Sequence, residues 1–429
     1  MRIIDISKEK DFLNKLFDRS KLEMDEVNKK VDKIIWDVKQ NGDKALKEYT
    51  KEYDGLMLEN LLVSKEEMEE AIKNTSRDLL EDLTKAKENI MKFHKKQLRN
   101  SYSLYEEEDI ILSQLIRPLE RVGIYIPGGK AAYPSTVLMN AIPAKIAGVK
   151  EIVMITPPCP DGSIKPSILA AASIAGVDKI YKVGGAQGIA ALAFGTESIP
   201  KVDKITGPGN IYVAMAKKKV SGYVGIDMIA GPSEILIIAD KWANPKYIAA
   251  DLISQAEHDE MAAAILVTDW EPMAYKVMEE IEVQLQTIDR KEIVKKSLEN
   301  YGAIIVTSCM AESMDVVNAI GPEHLEILTR DPFEVYKGVK NAGAIFLGEY
   351  SPEAVGDYFA GPNHTLPTSS TSRFSSPLGV DDFIKKTSLI YYSKTALERS
   401  KNSIVRIAEE EGLTGHANSI RVRFGEVEL

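Results

Sequence analysis

The chain has 429 residues, and a length of this order predicts about two to three domains rather than one hydrophobic core. Apolar residues make up 44% and charged residues 28%, which is the composition of a globular protein and not of a disordered one. The formal net charge of −10 argues against a nucleic-acid partner, because duplex binding requires a concentrated basic surface.

Two cysteines, Cys159 and Cys309, are too few for a disulfide framework or a cysteine-rich zinc module. The first residues, MRIIDISKEKDFL, lack the apolar core of a signal peptide. No apolar stretch approaches the ~18 residues that a membrane-spanning helix needs. These features predict a cytoplasmic protein without a membrane partner.

The N-terminal region is rich in Lys, Glu and Asp, and its apolar residues recur at helical spacing, as in Val27, Val31, Ile34, Ile35 and Val38. This pattern predicts several long helices. We interpret His94, in MKFHKKQ, as a solvated residue on one of these helices.

From about residue 120 the chain alternates between short apolar strands, glycine turns and helices. Strands recurring every 20 to 30 residues predict parallel sheets with helices on both faces. We expect one such unit before and one after about residue 235, although no sequence repeat establishes a duplication. The segments are VGIYI, TVLMNAIPAKIAG, EIVMIT, SILAAASIAG, KIYKV, GAQGIAALAF, IYVAMAKKK, EILIIAD, AAILVT, GAIIVTS and GAIFLG.

Three glycine-rich turns follow predicted strands in the first unit: IPGGKAAYPS, VGGAQG and TGPGN. Such turns can present backbone N–H groups and a helix N-terminus to a phosphate. None of them matches GxGxxG, the usual dinucleotide fingerprint. The predicted fold class is therefore α/β, with two Rossmann-like parallel-sheet domains that lack this fingerprint, an N-terminal helical region and a C-terminal tail.

Two segments combine histidine with another group able to act in chemistry. On a helix predicted around residues 245–262, Gln255 and His258 lie three positions apart, so both face one side and form half of a metal site. In GPEHLEILTR, Pro322 suits the first turn of a helix and would place Glu323 and His324 at its start. The positive end of the helix dipole would keep the carboxylate ionised and the imidazole neutral.

The remaining candidates follow residue 349. Residues 349–379 are rich in Ser, Thr, Pro and Gly and predict a long loop, either functional or disordered, that contains Asp357 and His364. A strand at SLIYYS and a helix at TALERSKNSIVRIAEEEG lead to Glu411 and to His416 in the tail. Together the Gln, Asp and His residues form a nitrogen and oxygen ligand set that suits zinc, with manganese or cobalt as alternatives.

Taken together, several long segments resemble the histidinol dehydrogenase family, in the family's order and over nearly the whole chain. They include YIPGG, GGAQGIAALAFGTESIPKVDKITGPGN, MIAGPSEILIIAD, DLISQAEHDEMA, GPEHLEIL, GDYFAGPNHTLPTSSTSRFSSPLGV and EGLTGHANSIRVR. The resemblance implies oxidation of L-histidinol through L-histidinal to L-histidine, with reduction of two NAD⁺. It also implies one zinc ion per subunit.

The resemblance further assigns roles to residues. The implied zinc ligands are Gln255, His258, Asp357 and His416, and the implied catalytic residues are Glu323 and His324. The implied substrate contacts are Ser233, Gln255, His258, His324, Asp357, Glu411 and His416. The implied NAD contacts are Tyr125, Gln187 and Asn210. For His364 we expect a supporting role rather than metal ligation.

The resemblance also implies a homodimer in which the C-terminal tail crosses to the active site of the partner. We accordingly predict four parts of the chain. Residues 1–24 form an N-terminal arm, residues 25–124 with 235–381 form the domain of the metal and catalytic residues, residues 125–234 bind the nicotinamide cofactor, and residues 382–429 form the tail.

Two other functions use some of the same residues. In a zinc hydrolase, Glu323 would activate a metal-bound water, but the three glycine-rich turns would then have no function. In a dimeric scaffold, zinc would be structural, although structural sites are usually closed and cysteine-rich. Formation of NADH from histidinol and NAD⁺ distinguishes the dehydrogenase from both.

Overall fold

The computed structural model describes residues 1–5, 24–106, 109–128 and 132–426. Most of the predicted N-terminal arm and part of the turn IPGGKAAYPS lie outside these ranges. The chain divides into two units, the first made of Met1–Gln97 and Leu119–Phe383, the second of Leu98–Pro118 and Ile384–Leu429.

The first unit contains a five-stranded parallel sheet with the order β6-β5-β4-β7-β8. Alternate residues of its strands face two different hydrophobic cores, as Ile152 and Val153 do. This two-sided burial explains the continuous apolar runs in the sequence. The strands are β4 (Arg121–Tyr125), β5 (Glu151–Thr156), β6 (Lys179–Lys182), β7 (Lys204–Thr206) and β8 (Gly225–Ile226). The helices between them are α4 (Pro134–Ala147), α5 (Pro166–Ala175), α6 (Gly185–Phe194) and α7 (Ile211–Val220).

A six-stranded parallel sheet with the order β1-β11-β10-β9-β12-β13 follows in the same unit. Its strands are β1 (Arg2–Asp5), β9 (Glu234–Ala239), β10 (Ala263–Thr268), β11 (Ala303–Val306), β12 (His324–Leu328) and β13 (Ala344–Leu347). The helices around it are α8 (Pro245–Ala256), α9 (Glu271–Gln284), α10 (Lys291–Asn300), α11 (Met310–Ile320), the short α12 (Pro332–Val335) and α13 (Glu353–Tyr358).

The two sheets share one topology. In each, a central strand, β4 or β9, is followed in the chain by two strands that add on one side and then by two that add on the other. The strand β1 extends only the larger sheet, where it pairs with β11. The predicted α/β class with two parallel sheets is confirmed. The repeated strand order is the sign of duplication that the sequence did not offer.

Three N-terminal helices are present where they were predicted: α1 (Met24–Asp54, kinked at Gly42), α2 (Lys65–Asn74) and α3 (Arg77–His94). They pack against α4–α7 of the five-stranded sheet, whereas the predicted domain division groups them with residues 235–381. None of the helices in the described ranges is long and apolar enough to cross a membrane.

The second unit is built around an antiparallel sheet of β2 (Tyr102–Glu106), β3 (Ile110–Pro118) and β14 (Ile384–Tyr392). Two helices, α14 (Lys394–Glu410) and α15 (Thr414–Arg421), follow β14. The strand at SLIYYS and the helix after it were predicted. The segment LTGHANSIRVR, predicted as a plain tail, is mostly helical.

His94 is not the solvated residue that the charged sequence around it predicts. Its side chain is fully buried at the end of α3, and its Nδ1 lies 2.9 Å from Oε1 of Gln97. The same Gln97 oxygen accepts the N–H of Val380 at 2.9 Å. His94 therefore belongs to a buried link between α3 and the segment before β14.

We expect that replacing His94 by Gln will weaken the pH dependence of stability. Burial lowers the pKa of His94, so the unfolded chain takes up a proton at a higher pH than the folded chain does. The fold therefore loses stability as the pH falls from about 7 to 5. Thermal unfolding should show a smaller drop of the midpoint for His94→Gln than for the wild type. Equal drops in both proteins would contradict this, and exposed Lys96→Gln is the control.

Candidate active site

The three predicted cofactor residues meet at the carboxyl edge of the five-stranded sheet. Tyr125 ends β4, Asn210 closes the turn after β7, and Gln187 lies in the first turn of α6. The Tyr125 hydroxyl accepts the N–H of Gly185 at 3.3 Å, and burial raises the pKa of Tyr125 to about 12. This edge lies where the strand order reverses, which is the usual ligand position in such sheets.

A buried polar atom at this edge fits a bound cofactor. Gln187 is 1% exposed, and its Oε1 has no hydrogen-bond partner among the residues that the structure describes. Buried polar atoms nearly always have partners, so an orphaned one at a ligand edge indicates a group that a ligand completes. Asn210 instead caps α7 through the N–H groups of Tyr212 and Val213.

Glu323 and His324 lie at the start of a strand, which corrects the predicted helix start. His324 is the first residue of β12, and it pairs with Ile235 of β9 and Ala344 of β13. The proline that suits a helix start follows Gly321, the left-handed cap of α11. Pairing with two neighbouring strands has overridden the local helix signal. Both catalytic candidates are buried, at 7% and 4% exposure.

His324 is held in one orientation by the backbone of β9. Its Nδ1 lies 3.0 Å from the carbonyl oxygen of Glu234, so Nδ1 carries the proton that this oxygen accepts. Burial lowers the pKa of His324 to about 4, against the opposing effect of Asp357. The neutral imidazole predicted from a helix dipole follows here from burial.

The Glu323 carboxylate is fixed against the same stretch of backbone. Its Oε2 accepts the N–H of Glu234 at 2.9 Å and lies 3.7 Å from Nδ1 of His324. Ser233 directly precedes β9, and its carbonyl oxygen accepts the N–H of Ala263 at 2.9 Å. These residues therefore gather at the amino edge of the six-stranded sheet.

Gln255 and His258 are close to each other but do not share a helix face as predicted. The helix α8 ends at Ala256, so Gln255 lies in its last turn and His258 in the turn that follows. The N–H of His258 donates to the carbonyl oxygen of Gln255 at 3.2 Å. Because α8 ends at Ala256, the position of the His258 side chain is set by the backbone turn and not by the periodicity of the helix.

A third ligand-type residue beside them is Asp357, which lies on α13 and not in an irregular loop. Ligand-type atoms of His258, Glu353 and Asp357 lie within 4.8 Å of one another. Nitrogen and oxygen donors at this spacing suit a divalent transition metal. Asp357 Oδ1 also lies 3.8 Å from Nε2 of His324, the first residue of β12.

Glu353 is a further functional candidate, which was not predicted from the sequence. One terminal atom of the Gln255 amide lies 2.9 and 3.0 Å from the two oxygens of Glu353 and 3.2 Å from Nδ1 of His324. Burial raises the pKa of Glu353, and the nearby Asp357 carboxylate adds to this effect. The signal was available, since Glu353 lies four positions before Asp357 and so shares its helix face.

His364 connects this cluster to a cavity of about 60 Å³. Its Nδ1 lies 3.0 Å from the carbonyl oxygen of Asp357, and burial lowers its pKa. The cavity lining includes Gly207 and Pro208 of the turn TGPGN together with Ser233, Glu323 and His364. It therefore joins the carboxyl edge of one sheet to the amino edge of the other.

The last two predicted residues belong to the second unit. Glu411 is the C-cap residue of α14, and the following Gly412 has the left-handed φ of 72° expected of a helix-ending glycine. His416 lies on α15, and both it and Glu411 are exposed. The first unit thus brings together Gln255, His258 and Asp357, while the fourth predicted zinc ligand is a surface residue of the other unit.

Comparisons of the sequence and of the structure with known proteins identify the same family. A sequence profile of histidinol dehydrogenase matches residues 17–424. The histidinol dehydrogenase of Clostridium acetobutylicum is 58% identical over 413 residues, 96% of each chain. That of Caldanaerobacter subterraneus subsp. tengcongensis is 55% identical over 428 residues, 99% of each chain. A crystal structure of histidinol dehydrogenase from Elizabethkingia anophelis superposes with a TM-score of 0.87 at 41% identity, covering 92% of this chain and 91% of that chain.

The match extends across both units, because the profile spans all of the candidate residues from Tyr125 to His416. The family resemblance drawn from the sequence is confirmed. This chain is an oxidoreductase and belongs to the histidinol dehydrogenase family.

Proposed function

We propose that this chain oxidises L-histidinol to L-histidine through L-histidinal and reduces two NAD⁺ in the process. The observation that carries the proposal is the environment of His324. Its Nδ1 is bonded to the Glu234 carbonyl oxygen, and its Nε2 has no hydrogen-bond partner among the described residues. A buried neutral imidazole with a free Nε2 is the form that accepts a proton.

In the first oxidation, Nε2 of His324 takes the alcohol proton while the hydride leaves the carbon for NAD⁺. Tyr125, Gln187 and Asn210 would hold the nicotinamide cofactor, at the edge whose residue Gly207 shares the cavity with Glu323. A water molecule then adds to the aldehyde carbon, and Glu323 takes its proton. The hydrate loses a second hydride to a second NAD⁺ and its remaining hydroxyl proton to the solvent, so that the carboxylate forms.

We assign Gln255, His258, Asp357 and His416 of the partner subunit as the ligands of one zinc ion. The clustering of His258 and Asp357 supports this assignment. When bound, zinc supplies a fixed point for the substrate's imidazole and amine, and positioning of this kind can contribute large rate factors. Glu353 orients the Gln255 amide, Ser233 and Glu411 contact the substrate, and His364 supports Asp357.

A homodimer with shared active sites accounts for the placement of Glu411 and His416 on the second unit. That unit exposes many large apolar side chains, which a partner subunit would cover. They include Tyr102, Leu104, Tyr105, Leu389, Ile390, Tyr391 and Tyr392. We place the enzyme in the cytoplasm, where a reducing environment suits its free cysteines.

Removing the metal tests the binding role of zinc separately from the chemistry. We expect chelation to abolish NADH formation from histidinol and added zinc to restore it. His258→Asn should lower the zinc content to well below one per subunit, because one of the clustered donors is weakened. The variant Asn244→Asp, at the other end of α8, is the control and should keep its zinc. Full zinc content in His258→Asn would contradict the assignment.

A further inference from the structure

A buried ion pair lies in the wall of the cavity. Lys217 on α7 and Asp227 just after β8 form this pair, and their side chains are only 2% and 1% exposed. Charges are stable in a protein interior only when they are paired and hydrogen-bonded. Neither residue is among the proposed catalytic, substrate, cofactor or metal residues, so the pair has no assigned task.

The pair holds both backbone polar groups of one residue, Gly207. Asp227 Oδ2 accepts the N–H of Gly207 at 2.8 Å, and Lys217 Nζ donates to the Gly207 carbonyl oxygen at 2.9 Å. The other oxygen of Asp227 accepts the N–H of Met228 at 2.6 Å. Hydrogen bonds to charged groups are stronger than neutral ones, so the Gly207 peptide groups are tightly held.

Gly207 opens the turn that ends at Asn210, and it touches Tyr125. Its φ is +112°, and a Cβ atom there would lie 2.1 Å from the Tyr125 carbonyl oxygen. Tyr125 and Asn210 are both proposed cofactor contacts, so the pair fixes the backbone between them. Lys217 also lies on α7, the helix that Asn210 caps.

On its other side the pair faces the catalytic groups. Lys217 and Asp227 line the same cavity as Ser233 and Glu323. The chain between Asp227 and Ser233 joins the five-stranded sheet to β9, and Gly231 within it donates its N–H to Thr368 Oγ1 at 2.6 Å. The pair thus lies where the cofactor edge and the catalytic edge meet.

We propose that Lys217 and Asp227 are positioning residues for the nicotinamide cofactor. They act through the Gly207 backbone, which they hold at a set place relative to Glu323, and they do not contact the reacting atoms. This inference rests on the proposed function, because it takes the turn from Gly207 to Asn210 as part of the cofactor site.

The double variant Lys217→Met/Asp227→Asn tests the inference, because it removes both charges while nearly keeping the volume. NADH binding is measured by fluorescence titration, alongside zinc content and the KM values for histidinol and NAD⁺. We expect the Kd for NADH and the KM for NAD⁺ to rise about tenfold or more, with zinc content and the KM for histidinol unchanged. At saturating NAD⁺, kcat should fall by a smaller factor than kcat/KM for NAD⁺.

A matched control is the ion pair of Lys204 and Asp382, 2.8 Å apart. Lys204 lies on β7 only three residues before Gly207, yet its Nζ donates to Asp382 Oδ1, which lies outside the turn. Lys204→Met/Asp382→Asn should lower the unfolding midpoint and leave NADH affinity unchanged.

Three results would overturn the inference. The first is wild-type NADH affinity in the folded double variant, and the second is an equal loss of zinc, histidinol and NADH binding. The third, a wild-type enzyme that does not bind NADH, would overturn the proposed cofactor site as well. If the double variant does not fold, Lys217→Arg decides by the same criteria. It keeps the two buried charges paired, but its longer planar group displaces the donor to the Gly207 carbonyl oxygen, so we expect a smaller effect in the same direction.

Discussion

Replacing Glu323 by Gln should lower steady-state turnover with histidinol by about a thousandfold, within the range expected when a general base is lost. The amide cannot take the proton of the water that adds to the aldehyde. It is nearly the size of the carboxylate, and its oxygen can still accept the N–H of Glu234 that Glu323 binds at 2.9 Å. The fold, the zinc content and histidinol binding should therefore be unchanged.

Glu323 and His324 are proposed to act as bases in different steps, so the Glu323→Gln variant should stop at a defined step. His324 still removes the alcohol proton in Glu323→Gln, so rapid mixing should show a first NADH per site before turnover stalls. Reduction of histidinal by NADH should also persist. Exposed Glu334→Gln is the matched control and should retain full activity. Unaltered steady-state turnover in Glu323→Gln would contradict the assignment of this residue as the base.

Mixing two inactive variants should restore activity if each site is shared between subunits. In a heterodimer of His416→Ala and Glu323→Gln chains, one site has both substitutions and the other has neither. Random exchange makes half of the dimers mixed, so recovery should approach about a quarter of wild-type activity. The measurement is NADH formation after the subunits have been exchanged and the heterodimer has been isolated or quantified.

A second mixture serves as the control. Glu323→Gln and Asp357→Asn both alter the first unit, so each site of their heterodimer carries one substitution and no activity should return. Recovery in this control, or no recovery with His416→Ala despite proven heterodimers, would argue against a crossing C-terminal segment.

The sequence predicted the elements whose signal is local. The buried runs EILIIA and AAILVT are strands β9 and β10, because strands covered on both faces require continuous apolar residues. Helices between the strands end at the glycines that also end the predicted helical segments, such as Gly148 after α4 and Gly176 after α5. These features depend on neighbouring residues alone.

The sequence predictions failed where the structure depends on residues that are distant in the chain. Pro322 indicates a helix, but β12 forms because β9 and β13 flank it on both sides. The strands β2 and β3 were not predicted, because they form by pairing with each other and with the distant strand β14. His94 is surrounded by lysines in the chain, yet the fold buries it beside Gln97. Distant segments of the chain create these environments, such as β9 beside β12 and the residues around Val380 beside Gln97.

The location of the site was equally hidden from the sequence. In open parallel sheets, ligands usually bind at the carboxyl ends of the strands. The proposed cofactor residues follow this rule, whereas Ser233 and His324 lie at the amino edge of the six-stranded sheet. The residue types predicted the chemistry. Only the packing of the two sheets in one unit brings Glu323 and Gly207 to one cavity.

The amount of NADH formed per histidinol consumed tests the central claim most directly. The zinc-loaded enzyme, supplied with limiting L-histidinol and excess NAD⁺, should form two NADH for each histidinol, with L-histidine as the only product. One NADH per histidinol with accumulating histidinal, or no NADH at all, would contradict the proposed four-electron oxidation.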